Sequence, residues 1–465
     1  MLDLDRETRA TLWRRVGEII EGYGQGLGER PLGAELDAAA IAASIASFDF
    51  SRPIDPVELL ERAVSGLREG QVHVGHPRYF GLFNPAPAAL SVLADALVSA
   101  FNPQLATHGH APWAVEVEEH LLRAFGERFG FRREDVEGAF TSGGAEANAT
   151  ALQLALVRAF PELSERGLRA LRGDPKLYVS SEAHPTMTRA ARLAGLGRDA
   201  VRVIPADARL RMKTRILREA IVADRAAGHL PFLIVATAGT TGAGAIDPLS
   251  ELSTVAEREG CFLHVDAAYG GLLALVPEQR AAIEAIARAD SITFDPHKAL
   301  SSPMGAGMIL TRHPKLLATA FSEHGGYMPR GPRAASHDPY GRSMQWSRRF
   351  IGLKVLLALA AEGWQGFAAS LRARLALAER LREGLRAAGW RVVNDTPLPI
   401  VCFVDEGGRA REAVARAVIA EGAGWLSVTR LSTGLRVLRA CVNNHRTGPA
   451  DVDRLIDALA RHARG

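Results

Sequence analysis

Two residues of types that can do covalent chemistry follow apolar runs. Lys298 comes just after the run SITFD (291–295), and Asp266 lies near the end of the run CFLHVDA (261–267). Both runs read as buried strands, so both side chains belong at strand carboxyl ends, where open α/β sheets bind ligands. A lysine amine there can form a Schiff base with an aldehyde and later act as acid and base. A poorly solvated carboxylate there needs a cationic partner. The stretch between them holds one crossover helix and one strand, so both can reach one ligand. Taken singly, Lys298 reads equally as a surface charge and Asp266 as a helix cap.

An anion cradle accompanies them. In TSGGAEANAT (141–150), Gly143 and Gly144 precede a helical stretch. A helix N-terminus offers free N–H donors and the positive end of the dipole. The motif is neither GxGxxG nor a Walker loop. Thr241, in ATAGTTGAGAID, and His297, beside the lysine, can each donate a hydrogen bond to a phosphate. His184, in SSEAHPTM, follows another strand end and can stack on a flat ring. An imine-forming lysine, a carboxylate for a ring nitrogen and a phosphate cradle are what pyridoxal 5′-phosphate (PLP) requires. The carboxylate keeps the pyridine protonated, and the ring then serves as an electron sink.

The elements that position these residues alternate in type. Strand candidates at 176–180, 200–204, 232–238, 261–267, 291–295 and 307–311 are separated by helical stretches, the last of them 277–290. That pattern predicts an α/β fold with a mainly parallel sheet and helices on both faces. We expect helices over residues 1–75, a large α/β domain over 76–345, and a smaller C-terminal α+β domain over 346–465. Residues 321–345 are rich in Gly and Pro without regular pattern and read as a functional loop or lid. Apolar residues are 47% and the formal charge is +4 with no basic cluster, so no nucleic-acid partner is expected. No apolar stretch is long enough to span a membrane. The N-terminus lacks a signal-peptide pattern, and three scattered cysteines suit a reducing, cytoplasmic setting.

GGAEAN, SEAHPTM, ATAGTTGAGAID, HVDAAYGG and DPHK occur in that order. The ordered set, over residues 76–447, resembles the group II PLP-dependent amino acid decarboxylases, which include the aromatic amino acid, histidine and glutamate enzymes. The resemblance implies PLP fold type I, aspartate aminotransferase-like, with a seven-stranded sheet. It also implies roles. Lys298 matches the Schiff-base lysine, Asp266 the pyridine partner and His184 the stacking imidazole. Ala268 matches the small residue near the ring, and Gly144, Ala145 and Thr241 match phosphate contacts. Ala145 replaces a common Ser, leaving a backbone N–H to do that work. Asp295 stands where Asn is frequent, and its carboxylate is expected to point away from a phosphate. Phe80, Leu82 and Phe83, in HPRYFGLFNPAP, resemble residues lining the substrate pocket. His108 and His110, in ATHGHAPW, resemble positions contributed across a homodimer whose active sites lie at the interface. No third ligand accompanies that pair, so no metal is expected.

Two further matches concern the reaction. Tyr327, in HGGYMPRG, matches a loop tyrosine that can return a proton to the quinonoid carbanion once CO₂ has left, while the closed loop excludes water. Tyr340 is a rival in the same segment. Arg439, in LRVLRACVNN, matches an arginine that can meet a substrate carboxylate through two parallel bonds, whereas Arg436, three residues earlier, falls on the opposite sheet face. The expected reaction is decarboxylation of an L-amino acid to the amine and CO₂. Alternatives on the same scaffold are an aldehyde synthase, aminotransferase or lyase, and more distantly a non-catalytic PLP-binding protein.

Overall fold

All six apolar runs become strands in the computed structural model, which describes residues 3–32, 37–323, 338–405 and 411–464. They are β2 (Pro175–Ser180), β3 (Val201–Ile204), β4 (Leu230–Thr237), β5 (Phe262–Asp266), β6 (Ser291–Phe294) and β7 (Gly307–Thr311). A further strand, β1 (Glu137–Thr141), completes a seven-stranded sheet of order β1-β7-β6-β5-β4-β2-β3. Its sequence EGAFT lacks the apolar run that marks the others.

The pairings β2–β3, β2–β4, β4–β5 and β5–β6 are parallel, whereas β7 runs antiparallel to both β6 and β1. Only β7 is therefore reversed, and the carboxyl ends of the other six strands share one edge. Alternation along the strands feeds two cores, as period-two side chains must. Leu177, Val179, Leu233 and Val235 pack on one face, and Tyr178, Ile234 and Ala236 on the other.

A second sheet, of order β10-β11-β9-β8, is built from β8 (Arg391–Val392), β9 (Ile400–Val404), β10 (Ser427–Arg430) and β11 (Arg436–Cys441) and is antiparallel throughout. It forms the smaller C-terminal part. On β9, Ile400, Cys402 and Val404 join the large core, while Val401 and Phe403 join a separate core beneath the helices Gly352–Ala387 and Pro449–Arg464. The same alternation on β11 sends Val437 and Cys441 toward the large core and Leu438 and Ala440 away. Arg439 thus shares the inward face. Arg436 lies at the exposed strand start and pairs with Glu412, as its spacing required.

One helical expectation changes in detail. The stretch Pro277–Arg288 is 3-10 helix broken at Ile283, where φ is −128°. The long helix Gly352–Ala387 breaks at Gly363, where φ is 62°. Near the N-terminus, Pro56–Glu69 starts as the sequence indicates, with Pro56 in its first turn and Asp55 accepting from the backbone N–H groups of Val57 and Glu58. The preceding helices Arg6–Gly26 and Ala38–Ala46 bury none of their residues. Among the described residues no helix is long and apolar enough to cross a membrane.

Candidate active site

The shared strand edge collects the chemical side chains because each follows a strand running the same way. Asp266 ends β5, in register with Thr237 of β4 and Thr293 of β6. Lys298 sits one turn beyond β6, in the short helix Pro296–Ala299. Gly143 and Gly144 follow β1, His184 follows β2 and Thr241 follows β4. Lys298 is partly open to solvent, and His184, Thr241 and Ala145 are exposed.

Asp266 is held on both oxygens: Oδ2 accepts from Asn148 Nδ2 at 2.8 Å and Oδ1 from the Ala268 N–H at 3.1 Å. Donors to both oxygens fix the orientation of the carboxylate. The glycine turn is tight. Gly143 has φ 153° and ψ 179°, a conformation reserved for glycine. A Cβ on Gly144 would stand 3.1 Å from Asp295 Oδ2 and 3.4 Å from Ala268 Cβ. The helix that follows, Gly144–Ala159, has no side-chain cap on its first turn. Its open N-terminus, the tight turn and the exposed Thr241 fit a phosphate, and the carboxylate–lysine pair fits a pyridine aldehyde.

Asp295 departs from expectation. Its carboxylate does not point away from the turn. It is fully buried beside Gly144, 2.8 Å from Lys298 Nζ and 3.7 Å from His297 Nε2. The physical reason is charge: a buried carboxylate is drawn to the nearest cation, and Lys298 lies three residues on. His297 also differs. Its Nδ1 lies 2.7 Å from the Ala306 carbonyl, which can only accept, so Nδ1 carries the proton. Burial lowers its pKa. The neutral ring then has no Nε2–H to offer a phosphate, and its Cε1 faces Gly143.

The expected substrate residues divide. Phe83 is buried, stacks on Tyr269 with centroids 4.0 Å apart, and has Lys298 Nζ 6.0 Å and Arg439 Cζ 4.8 Å from its ring centre. Arg439 is 2% exposed, and its Nη1 bonds the Gly81 carbonyl and, at 3.3 Å, Ser427 Oγ. Its Nε and Nη2, the side-on edge of the guanidinium, are buried without a partner. Leu82 is exposed nearby, its N–H donating to Tyr79 Oη. Phe80 does not face the site. It is packed in the small core with Leu381, Val401 and Leu438. His108 pairs with Glu116 at 3.1 Å, and its N–H donates to Asp338 Oδ1. Among the described residues no hydrogen bond, ion pair or ring contact ties it to Lys298, Asp266 or Arg439. His110 is exposed beside Thr107. Tyr340 is buried against Trp346 with centroids 4.7 Å apart, and Tyr327 lies outside the described residues.

Several residues escaped the sequence reading. Asn443 ties Lys298 into place, donating to the Lys298 carbonyl at 3.1 Å and accepting from buried Arg374 at 2.7 Å. Asn148 bonds Asp266, Thr186, His264 and Thr293. The signal for Asn148 was a polar residue on the apolar face of a helical stretch; Asn443 had none.

Comparison with known proteins agrees with this geometry. The family described as "Pyridoxal-dependent decarboxylase conserved domain" matches residues 46–405. Cysteine sulfinic acid decarboxylase of Mus musculus is 33% identical over 350 residues, covering 74% of this chain and 70% of that one. L-2,4-Diaminobutyrate decarboxylase of Rhizobium meliloti is 33% identical over 402 residues, covering 84% and 79%. The crystal structure of mouse CSAD superposes with a TM-score of 0.91 at 28% identity, covering 98% of each chain.

Proposed function

The chain belongs to the pyridoxal-dependent decarboxylase family and is a PLP-dependent amino acid carboxy-lyase, and from that premise we propose how its own residues do the work. The observation that carries the assignment is the convergence of Lys298, Asp266 and the Gly143–Gly144 turn on one sheet edge. When bound, the cofactor supplies an aldehyde carbon and a cationic heterocycle that accepts the electron pair left as CO₂ departs.

Lys298 is the amine that meets that carbon. Asp266, held by Asn148 and the Ala268 N–H, keeps the ring nitrogen protonated. The N–H groups of Gly144 and Ala145 and the Thr241 hydroxyl take the phosphate, and His184 lies against the ring. Ala268 is small enough to leave room beside Gly144. His297 supports the turn by shape rather than by donating a proton. Arg439 offers Nε–H and Nη2–H together, a fork that matches a carboxylate. Phe83, with Leu82 at the rim, forms the apolar wall beside it. Tyr327 returns the proton to the substrate carbon after CO₂ has left.

The site is completed by a second copy of the chain, with His108 contributed across the interface. Helices that bury none of their own residues, and apolar side chains such as Trp13 (62% exposed), Phe50 (97%) and Phe101 (82%), support such a covering. Three buried, unpaired thiols support a reducing compartment such as the cytoplasm. The second sheet, which lies wholly beyond residue 345, supports a boundary there, and the helices before residue 75 support the other. The direct test is to incubate the protein with PLP and pooled L-amino acids and to identify products by mass. An amine formed with CO₂, absent with Lys298→Ala, is the expected result. A keto acid or no product from the loaded protein refutes it.

A further inference from the structure

Asn148 is where the carboxylate side and the imidazole side of the site meet. It is buried on the helix Gly144–Ala159, and its amide uses every hydrogen-bonding position it has. Nδ2 donates to Asp266 Oδ2 at 2.8 Å and to Thr186 Oγ1 at 2.9 Å. Oδ1 accepts from Thr293 Oγ1 at 2.8 Å and from His264 Nε2 at 3.0 Å. The amide can face only one way, because a carboxylate accepts and does not donate.

Proton directions follow outward from that constraint. Thr186 Oγ1 accepts from Asn148 and lies 3.1 Å from His184 Nδ1, to which its own proton can go. The Thr186 backbone N–H donates to the same nitrogen at 3.3 Å. With Nδ1 an acceptor, a neutral His184 carries its proton on Nε2. On the other branch His264 carries its proton on Nε2, and its Nδ1 accepts from Ser291 Oγ at 2.8 Å. Burial lowers the pKa of His264 to about 4 and shifts His184 in the same direction, so both rings are neutral near pH 7.

We propose that Asn148 is a positioning residue for the decarboxylation: it aims Asp266 at the ring nitrogen and, through Thr186, fixes His184 in the tautomer that presents Nε2–H to the site. The inference rests on the assignment of Asp266 and His184 above.

Two variants of the full-length protein test it. Asn148→Asp keeps the volume and the Oδ1 acceptor but sets a second carboxylate oxygen against Asp266. Thr186→Val keeps the shape and removes only the hydroxyl. PLP titrated by absorbance gives the dissociation constant and the band of the bound cofactor. Nitrogen-15 spectra of labelled histidine give the His184 tautomer without any turnover. We expect Asn148→Asp to weaken PLP by about tenfold or more, the loss of one charge-assisted bond, and to move the absorbance band. We expect Thr186→Val to leave PLP affinity within about threefold, to lower kcat more than it changes KM, and to reduce the Nε2–H tautomer population of His184, since the hydroxyl bond to Nδ1 is gone and only the longer backbone N–H bond remains. Wild-type affinity and band in Asn148→Asp, or an unchanged histidine spectrum in Thr186→Val, overturns the proposal. Should Asn148→Asp fail to fold, the Thr186→Val spectrum decides alone. Should the wild type bind PLP yet decarboxylate nothing, the functional assignment fails while these readouts still decide the role of Asn148.

Discussion

Replacing Arg439 with methionine separates a substrate-binding arginine from a structural one. The guanidinium is 2% exposed, yet only Nη1 is engaged within the chain, while Nε and Nη2 are buried and unmet. Each unmet buried N–H costs about 1–3 kcal/mol in the free protein. A substrate carboxylate meets both at once, and two charge-assisted bonds are together worth about 3–4 kcal/mol. Arg439→Met should therefore lower kcat/KM by about 10²–10³, at tenfold per 1.4 kcal/mol. The change should fall mostly on KM, because the carboxylate is held before and during reaction. Stability should respond differently. Loss of the bonds to Gly81 and Ser427 and of the contact with Phe83 is offset by removal of two unmet donors and a buried charge. The melting temperature of the substrate-free protein should then stay within about 2 °C of wild type. The assay pairs steady-state kinetics on the substrate found by product screening with thermal melting. A kcat/KM within threefold of wild type, or a melting temperature lowered by about 10 °C, would falsify the reasoning.

Three other outcomes can be tested. Lys298→Met abolishes activity and also destabilises the cofactor-free protein by about 3 kcal/mol, because Asp295 loses its nearest cation; adding Asp295→Asn should restore the melting temperature but not the activity, and an unshifted melting curve in the single variant contradicts the pairing. Tyr327→Phe should divert product from amine toward aldehyde, read by mass analysis, and an unchanged amine yield removes Tyr327 from the proton step. His76 is held neutral by burial, with the Arg78 charge adding to the effect, and its pKa lies near 4 in the folded chain against 6.5 unfolded. Its contribution is complete above pH 6.5 and lost as pH falls toward 4, amounting to about 3 kcal/mol. The loss of stability between pH 7 and pH 4 should be shallower in His76→Gln than in wild type; parallel profiles argue against it.

Much was legible in the primary structure. Lys298, Asp266 and the Gly143–Gly144 turn were readable because strand ends in a parallel sheet share an edge, so the position of a residue after its apolar run already places it. The six strands with continuous apolar runs and the period-two face of Arg439 were readable for the same reason: burial and pleat leave a local pattern. β1, with a glycine in its five residues, and β10, in which no residue is fully buried, left none.

What only the tertiary structure decided was which polar groups meet. Asp295 turned toward Lys298 rather than away, since a buried charge seeks the nearest opposite one whatever the family pattern suggests. Phe80 went into the small core and Phe83 to the site, a choice made by packing between sheets distant in sequence. The bonds from Asn148 to Asp266, His264 and Thr293 join a helix to two strands more than a hundred residues away, and Asn443 reaches Lys298 across 145 residues. Residue type and local spacing determine which groups can react. Hydrogen-bond direction and long-range packing determine how those groups are held, and these exist only once the chain has closed on itself.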